Sequence, residues 1–217
     1  MLKELREELR QTAYEMMVSG LVVGSDGNVS AKDPATGYIA ITPSGMPYDK
    51  ITTDDIVIVD TDEKVIWGDK KPSSETPMHT YIQKHRPDVF AVMHTHARYA
   101  TLFAIANHDI PPATMNLAAQ FAGPVRCAPY VRPGSEDMGP TNMKYLGEHG
   151  RAMLIGNHGT LCVATNLKKV LELSKILEEN AKMVYESMLI GKAVPLPAPE
   201  IKWIHELVLS FETARVA

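Results

Sequence analysis

The sequence predicts a one-domain α/β or α+β sandwich, in which helices cover a sheet of short strands. Short apolar runs typical of strands are joined by polar turns, and segments with apolar residues three and four positions apart bracket them. The chain contains no internal repeat and no Gly/Ser linker. Because domains typically run about 100–200 residues, we expect a single domain over residues 1–217.

Five helices are expected from apolar spacing and end signals. The first begins near Leu2 and stops at Gly20. The second has Thr76 as its N-cap and Pro77 in its first position, and it ends before Pro87. The remaining helices are expected over Arg98–Ala106, over Lys168–Ile190, and from the bend at 195–199 to about Arg215.

Seven strands are expected from short apolar runs bounded by turn residues. The last two form a hairpin across Gly156–Thr160. The strands are predicted over Tyr38–Thr42, Ile56–Val59, Val65–Trp67, Val89–Met93, Val125–Ala128, Ala152–Ile155 and Leu161–Ala164.

Composition excludes several classes of protein. With 22 Lys and Arg against 26 Asp and Glu, the net charge of −4 argues against a nucleic-acid partner. A membrane partner is not expected, because no apolar run approaches the ~20 residues that cross a bilayer. The charged start lacks the apolar stretch of a secretory signal. Cys127 and Cys162 are far apart and predict buried thiols in a reducing cytoplasm.

The histidines carry the strongest chemical signal. His94 and His96 follow an apolar strand, and alternate residues of a strand point to the same face. His158 lies in a hairpin turn between two glycines, where the backbone can approach a ligand closely. Three imidazoles with an open fourth position are what a catalytic Zn²⁺ ion needs. Packing histidines on a strand are the alternative interpretation of the His94 and His96 pair.

Glu75 is the second candidate, because it directly precedes a predicted helix. A carboxylate there is favoured by the helix dipole, acts as a general base, or supplies a fourth metal ligand. His79 lies four residues further along the same helical face. We interpret His79 as a core residue, with a partner of Glu75 as the alternative.

Three polar turns contain the donors of an anion site. They offer hydroxyl, amide and backbone N–H groups, although none has the glycine–lysine spacing of a P-loop. Each alone is also an ordinary turn. The turns contain Gly27 and Asn28, Thr42 to Gly45, and Ser73 with Ser74.

Six short motifs together resemble one known family over roughly residues 1–195. In their order they are similar to the class II aldolase/adducin family, and most of all to its fuculose-phosphate aldolase branch. The motifs are Gly27–Ser30, Thr42–Gly45, Pro72–Glu75, His94–His96, Ala128–Tyr130 and Asn157–Gly159.

The resemblance implies an α/β/α sandwich around a central, mainly antiparallel sheet. It also implies a cyclic homotetramer with active sites at the subunit interfaces. Zn²⁺, or another divalent cation such as Mn²⁺ or Co²⁺, would be held by His94, His96 and His158. Glu75 would be the acid/base and a fourth ligand. The substrate phosphate would lie against Asn28, Ser44, Gly45, Ser73 and Ser74.

The implied activity is that of a lyase in carbohydrate metabolism. It is the reversible cleavage of a ketose 1-phosphate, such as L-fuculose 1-phosphate, to dihydroxyacetone phosphate and an aldehyde. A divalent metal stabilises the negative charge left beside the ketone when the C–C bond breaks. A carboxylate then transfers the proton at carbon. The ketose and the aldehyde are left open.

Two positions depart from the fuculose-phosphate aldolases of the family. Their catalytic tyrosine falls in the segment matching Pro111–Ala119, where this chain has Met115. Their second functional tyrosine matches about Ala214. Water, Tyr130 or Tyr185 would then donate the proton to the departing aldehyde. An apolar Met115 instead suits a deoxy or thioether aldehyde, as in a salvage aldolase for 5-deoxypentulose or methylthio-pentulose phosphates.

Other functions remain as alternatives. An epimerase of the same family needs an aspartate where Ala119 aligns. A Schiff-base aldolase needs a buried lysine, for which Lys144 is a weak candidate. A metal hydrolase would use a zinc-bound water. An adducin-like interaction module would have no use for three histidines and Glu75.

Overall fold

A computed structural model describes residues 1–214, with side chains to Phe211. The predicted end of the last helix near Arg215, and the last three residues of the predicted domain, lie outside the described residues.

The described residues form one eight-stranded sheet in the order β4-β3-β2-β1-β5-β8-β7-β6. Neighbouring strands are antiparallel except β6 and β7, which are parallel. The mainly antiparallel sheet is therefore confirmed. The strands are β1 Asn28–Lys32, β2 Ile39–Ile41, β3 Val57–Val59, β4 Val65–Trp67, β5 Ala91–Thr95, β6 Cys127–Ala128, β7 Ala152–Ile155 and β8 Gly159–Ala164.

The described residues also form seven α-helices and a short 3₁₀ helix, Thr53–Asp55. The helices α1, α3 and α6 pack together on one face, and α2 and α5 pack on the other. This arrangement is the predicted α/β/α sandwich. The helices are α1 Lys3–Val18, α2 Thr76–His85, α3 Arg98–Ala106, α4 Met115–Phe121, α5 Met138–Leu146, α6 Leu167–Ile190 and α7 Ala198–Ala214.

Each face of the sheet has its own apolar core, because alternate residues of every strand point to opposite sides. In β1 and β5, Val29 and Met93 belong to the core under α1, α3 and α6, whereas Val92 belongs to the core under α2 and α5. Asn28 and Ser30 share the α2 side with Val92. The face under α2 is therefore where β1 contributes polar groups.

Short polar signals set the helix ends. The Thr114 hydroxyl accepts a hydrogen bond from the Leu117 N–H at the start of α4, and the Asn166 side chain accepts one from Lys169 at the start of α6. Asn107 ends α3 in the left-handed conformation with φ of 53°.

The predicted cap of α2 was wrong by one residue. The N-cap is Glu75, and the Thr76 hydroxyl donates to the Ser73 carbonyl at 2.6 Å instead of capping the helix. Pro77 is therefore the second helical residue. The shift leaves the Glu75 side chain free to face the sheet.

Three elements were missed from the sequence. The strand β1 was not predicted because Gly24 and Gly27 marked its start as a turn. The helix α4 has seven residues, too few to show a clear period, and in the nine-residue α5 Gly139 and Pro140 interrupt the apolar pattern. Among the helices of the described residues, none combines the length and apolar character needed to cross a bilayer.

Candidate metal centre and active site

The site is built at the end of β5, the strand between β1 and β8. His94 pairs with Asn28 on one side and with Leu161 on the other. His96 follows the end of β5, and His158 lies in the turn that joins β7 to β8. Because β8 is antiparallel to β5, its first residues, with the turn before them, come to the end of β5 that carries the other two histidines.

The three imidazoles converge on one point. The Nε2 atoms of His94 and His96 are 3.0 Å apart, and the ring centroids of the three histidines are separated by 4.6 to 5.1 Å. One ring nitrogen from each histidine lies within 4.8 Å of the others. The same-face prediction for His94 and His96 is confirmed, and His158 joins them.

A glycine makes this convergence possible. A Cβ on Gly159 would lie 2.4 Å from the Thr95 carbonyl oxygen, 2.9 Å from the His96 ring and 3.1 Å from the His94 ring. Atoms cannot approach that closely, so any side chain would displace the imidazoles. The glycine after His158 is therefore a requirement of the site.

The His94 ring is oriented by the backbone of β8. Its Nδ1 donates a hydrogen bond of 2.8 Å to the Thr160 carbonyl, which leaves a lone pair on Nε2. Burial, with the nearby His96, lowers the pKa of His94 to about 3. Burial, with His94, lowers the pKa of His158 to about 4, although Glu75 acts in the opposite direction. Both rings are therefore neutral near pH 7, which is the form that binds metals.

Glu75 lies beside the imidazoles and is only 5% exposed. Its Oε2 lies 3.3 Å from His94 Nε2, and its Oε1 lies 3.5 Å from His158 Nε2. Oε2 also accepts a hydrogen bond of 2.8 Å from Asn28 Nδ2, whereas no described group donates to Oε1. One carboxylate oxygen is therefore fixed, and the other is unused by the protein.

His79 is a core residue, as expected, and it is also linked to Glu75. It is fully buried, and its ring bonds Asn28 through Nε2 and Ser30 through Nδ1. Burial, with the nearby His94, lowers the pKa of His79 to about 3, so this ring is neutral too.

The second and third polar turns are held together by backbone hydrogen bonds. The Ser44 N–H donates to the Lys71 carbonyl at 2.9 Å, and the Ser73 N–H donates to the Thr42 carbonyl at 3.1 Å. The two turns thus run side by side through an isolated bridge between Pro43 and Pro72. Residues about 30 apart in sequence are brought to one edge of the site.

All the predicted site residues line one pocket of about 200 Å³. Besides the predicted residues, Ser25, Asp26, Gly27, Pro43 and Pro133 line it, and Ser25 and Pro133 carry no signal in the sequence. The predicted residues that the pocket brings together are His94, His96, His158, Glu75, Asn28, Ser44, Gly45, Ser73 and Ser74.

The members of the predicted phosphate set differ in their surroundings. Asn28 is buried, and its side chain is bonded to Glu75 and His79. The Ser73 hydroxyl accepts a hydrogen bond from the Glu75 N–H at 3.3 Å. Ser44, Gly45 and Ser74 are exposed at the mouth of the pocket. These three are therefore the most accessible to a ligand.

Asp26 lies beside His96 at the pocket mouth. Its Oδ2 is 3.8 Å from His96 Nδ1, and its side chain is 59% exposed. The Tyr48 hydroxyl donates to the backbone carbonyls of Asp26 and Gly27 and so holds this turn in place. Neither lysine nor arginine is among the described residues that line the pocket.

Met115 does not line this pocket in the described chain, and neither do Tyr130 and Tyr185. Met115 is the first residue of α4 and is 67% exposed. Ala214, which matches the second tyrosine of the family, has a side chain outside the described residues.

A larger hollow of about 1010 Å³ lies at the opposite end of β5 and β8. It is lined by residues near the start of β5 and the end of β8, together with α7. None of the predicted site residues lines it. The chemistry is therefore concentrated in the smaller pocket.

The residues at the three-histidine point fit a divalent cation. Neutral imidazoles with a carboxylate beside them are a donor set that zinc and related metals prefer. Glu75 Oε1 and His158 Nδ1 are buried there without a hydrogen-bond partner among the described residues. Such atoms are rare in folded proteins, and Glu75 Oε1, 3.5 Å from His158 Nε2, is placed to meet a ligand in this space.

Comparison with known proteins gives a consistent result. The family model described as Class II Aldolase and Adducin N-terminal domain matches residues 7–185. A solved structure named L-fuculose 1-phosphate aldolase superposes with a TM-score of 0.90 and 32% identity, covering 94% of this chain and 95% of that chain.

Two curated relatives carry names that specify a substrate. The 5-deoxy-D-ribulose 1-phosphate aldolase of Bacillus thuringiensis serovar kurstaki is 36% identical over 203 residues, which are 93% of this chain and 94% of the relative. The 5-methylthioribulose-1-phosphate/5-deoxyribulose-1-phosphate aldolase of Escherichia coli O45:K1 is 40% identical over 171 residues, 79% of this chain and 78% of the relative.

The glycine requirement gives a first prediction. Gly159→Ala should weaken divalent-metal binding by about 10–100-fold, the range seen when the surroundings of metal ligands are disturbed, because the added methyl group displaces the His94 and His96 rings. Competition with a chromophoric chelator for Zn²⁺ or Co²⁺ measures this affinity. Gly191→Ala is the control, since a Cβ there meets nothing within 4 Å. Equal affinities for the two variants would contradict the prediction.

Proposed function

Since this chain belongs to the class II aldolase and adducin family and is a lyase of its aldolase class, we propose that it reversibly cleaves a ketose 1-phosphate to dihydroxyacetone phosphate and an aldehyde. The observation that carries the proposal is the convergence of His94, His96 and His158 next to Glu75, in the pocket lined by the polar turns. Three converging imidazoles, one free carboxylate oxygen and neutral anion donors are the parts that such a cleavage needs.

His94, His96 and His158 would hold the divalent cation, for which we propose Zn²⁺, with Mn²⁺ or Co²⁺ able to replace it. When bound, the cation supplies Lewis-acid stabilisation of the negative charge that develops beside the ketone. The Thr160 carbonyl keeps the lone pair of His94 Nε2 available for this role. Glu75 Oε2 lies 3.3 Å from His94 Nε2 and Oε1 lies 3.5 Å from His158 Nε2, so Glu75 is a candidate for the fourth ligand in the absence of substrate.

Glu75 would move the proton at the reacting carbon. In the cleavage direction the C3–C4 bond breaks, the C4 hydroxyl gives its proton to water as the aldehyde carbonyl forms, and C3 gains a proton from Glu75. Glu75 Oε1 is buried and has no described donor, so it is available to give and take the proton at C3. Asn28 holds the other oxygen and keeps the carboxylate in one orientation.

The phosphate would lie at the mouth of the pocket against Ser44, Gly45, Ser73 and Ser74, with Asn28 behind them. These turns offer hydroxyl and backbone donors, and the described lining contains no lysine or arginine. Binding energy at this remote group would orient the reacting carbons against Glu75.

The end of the substrate that becomes the aldehyde is the second part of the proposal. We propose a 5-deoxypentulose or 5-methylthio-pentulose 1-phosphate, with L-fuculose 1-phosphate as the other candidate. Met115 has no hydroxyl, and two relatives are named for 5-deoxyribulose 1-phosphate. Since Met115 is 67% exposed and lies outside the pocket of its own chain, it would reach the substrate from a neighbouring subunit.

We also propose the homotetramer that places active sites between subunits. The helices α1, α3 and α6 share one layer, and their outer faces carry exposed apolar side chains. Large exposed apolar side chains on one layer favour a protein contact there. Its members include Val18, Leu102, Ile105, Met188, Leu189 and Ile190.

The role of Glu75 gives the second prediction. Glu75→Gln should slow the exchange of the C3 proton of dihydroxyacetone phosphate with solvent by about 10²–10⁴-fold, because the amide cannot accept that proton. Deuterium incorporation followed by NMR measures the exchange, and metal content is determined on the same sample. EDTA should abolish exchange in the unaltered protein, and Zn²⁺ should restore it.

The exposed Glu7→Gln variant of α1 is the control and should exchange like the unaltered protein. Full exchange in Glu75→Gln, or activity that survives complete metal removal, would defeat the proposed chemistry. Borohydride trapping with substrate would then test the lysine mechanism.

The aldehyde end gives the third prediction. The kcat/KM for 5-deoxyribulose 1-phosphate should exceed that for L-fuculose 1-phosphate by more than about 10-fold, since the latter bears a hydroxyl at C5 that an apolar contact cannot satisfy. Met115→Tyr should reduce this ratio. Val65→Tyr, at an exposed position on β4, should leave it unchanged. A preference for L-fuculose 1-phosphate would reverse the assignment.

The assembly gives the fourth prediction. Native mass spectrometry should find four times the mass of one chain, and Ile190→Glu should yield smaller species, because Ile190, the last residue of α6, is an apolar side chain that is 92% exposed. Val65→Glu, on the edge strand β4, should remain tetrameric. A monomer in the unaltered protein would contradict the proposed assembly.

A further inference from the structure

Behind Glu75 a row of buried polar side chains runs between β1 and α2. Ser30 and His79 are completely buried, and Asn28 is 4% exposed. Such groups are costly to bury and persist only when they are bonded to each other. The row is therefore a specific feature of the interface between the strand and the helix.

The row forms because the spacing of residues along β1 matches the spacing along α2. Residues 28, 30 and 32 of β1 lie on one face, about 6.6 Å apart. Residue 75, the N-cap of α2, and residues 79 and 83 within α2 also lie on one face, about 6 Å apart. Asn28 contacts Glu75 and His79, and Ser30 contacts His79 and, at 3.4 Å, Gln83. Lys32 completes the series by donating to the Gln83 carbonyl.

The donor and the acceptor of each hydrogen bond in the row follow from the groups that the bond joins. An ionised Glu75 can only accept, so Asn28 presents its Nδ2 to Glu75 and its Oδ1 to His79. Oδ1 can only accept, so the proton of a neutral His79 lies on Nε2. His79 Nδ1 then carries a lone pair and accepts from the Ser30 hydroxyl at 2.7 Å.

We propose that His79 is a positioning residue for Glu75, because its Nε2–H fixes the orientation of the Asn28 amide and the amide in turn holds Glu75 Oε2. This inference rests on the proposed role of Glu75 as the acid/base. The Ser30 hydroxyl completes the row by fixing the tautomer of His79. At the pocket, the row leaves Oε1 as the oxygen of the Glu75 carboxylate that is free to meet the substrate.

The opposite orientation of Asn28 shows why the donor matters. If Asn28 turned its amide, Oδ1 would face Glu75 Oε2 and two acceptors would meet, while Nδ2 would face His79. Glu75 Oε2 would then lose its donor, and His94 Nε2, which lies 3.3 Å away, cannot replace it because that nitrogen carries a lone pair. A carboxylate without this donor is free to rotate and is misplaced for a proton on carbon.

The test compares variants of His79 with a matched variant of Gln83. His79→Leu should lower the rate of C3-proton exchange by about 10–100-fold, as loss of an orienting partner typically does, with KM changed less than about threefold. It should also raise the kinetic isotope effect for C3-deuterated dihydroxyacetone phosphate, since proton transfer becomes slower than other steps. His79→Gln keeps a donor toward Asn28 and should recover most of the rate.

Gln83→Leu is the structural control. Gln83 is buried to the same degree and bonds the Phe90 carbonyl, but it lies beyond Ser30 from Glu75. It should lower thermal stability without changing the isotope effect. If His79→Leu and Gln83→Leu affect exchange equally, or if His79→Leu exchanges like the unaltered protein, the positioning role is overturned.

Two measurements keep the proposal testable if His79→Leu does not fold. Nitrogen-15 NMR of the unaltered protein should show His79 as the Nε2-protonated tautomer, and the Nδ1-protonated form would overturn the proposal. Ser30→Ala, a small change, should reduce exchange in the same direction but less. If Glu75→Gln exchanges the C3 proton at the full rate, the proposed function fails. If Glu75→Gln loses this exchange while the His79 and Ser30 variants exchange normally, only the positioning role of His79 fails.

Discussion

The site depends on the removal of water from imidazole rings that meet at one sheet edge. Burial lowers the pKa of His94 to about 3 and that of His158 to about 4, so these rings present lone pairs and not positive charges. Three cationic rings at such distances would repel one another and would not bind a metal. The position of β5 between β1 and β8 places His94 inside the sheet, where it is completely buried.

The strands β8 and β1, on either side of β5, orient different residues of the site. The β8 backbone fixes His94 through Thr160, and Gly159 provides the space for the rings. The β1 side chains Asn28 and Ser30 face α2 and hold Glu75 in place. The proposed metal donors and the proposed acid/base are thus oriented by opposite neighbours of a single strand, so a shift in either pairing would disturb one set of residues without the other.

Much of the site could be predicted because its signals are local. The alternation of His94 and His96 places both rings on one face, and the glycines around His158 allow a tight turn. The order of the short motifs identified the family before any contact was known. The bounds of α3 and β7 were also predicted, because the apolar patterns of both segments are uninterrupted.

The remainder required contacts between distant residues. The cap of α2 was misassigned because the Thr76 hydroxyl bonds Ser73, a competing acceptor that local sequence does not reveal. The strand β1 was hidden by its glycine-rich start, and with it the partners of His79. His79 was correctly expected in the core, but its two hydrogen bonds depend on the register between β1 and α2, and a one-residue slip would turn Asn28 and Ser30 to the other face.

The charge of the pocket affects both parts of the proposed chemistry, phosphate binding and proton transfer. Its described lining has two carboxylates, Asp26 and Glu75, and no lysine or arginine, although the proposed substrate carries a phosphate. Hydroxyl and backbone donors orient a phosphate, but they attract it less strongly than a lysine or arginine would. The carboxylate that must remain close to the substrate is the one whose direction is fixed by Asn28, and Asp26 is 59% exposed to solvent, which screens its repulsion. The buried hydrogen-bond row behind Glu75 therefore also bears on the proposed substrate binding, because it holds the Glu75 carboxylate in one orientation within the pocket that the phosphate turns line.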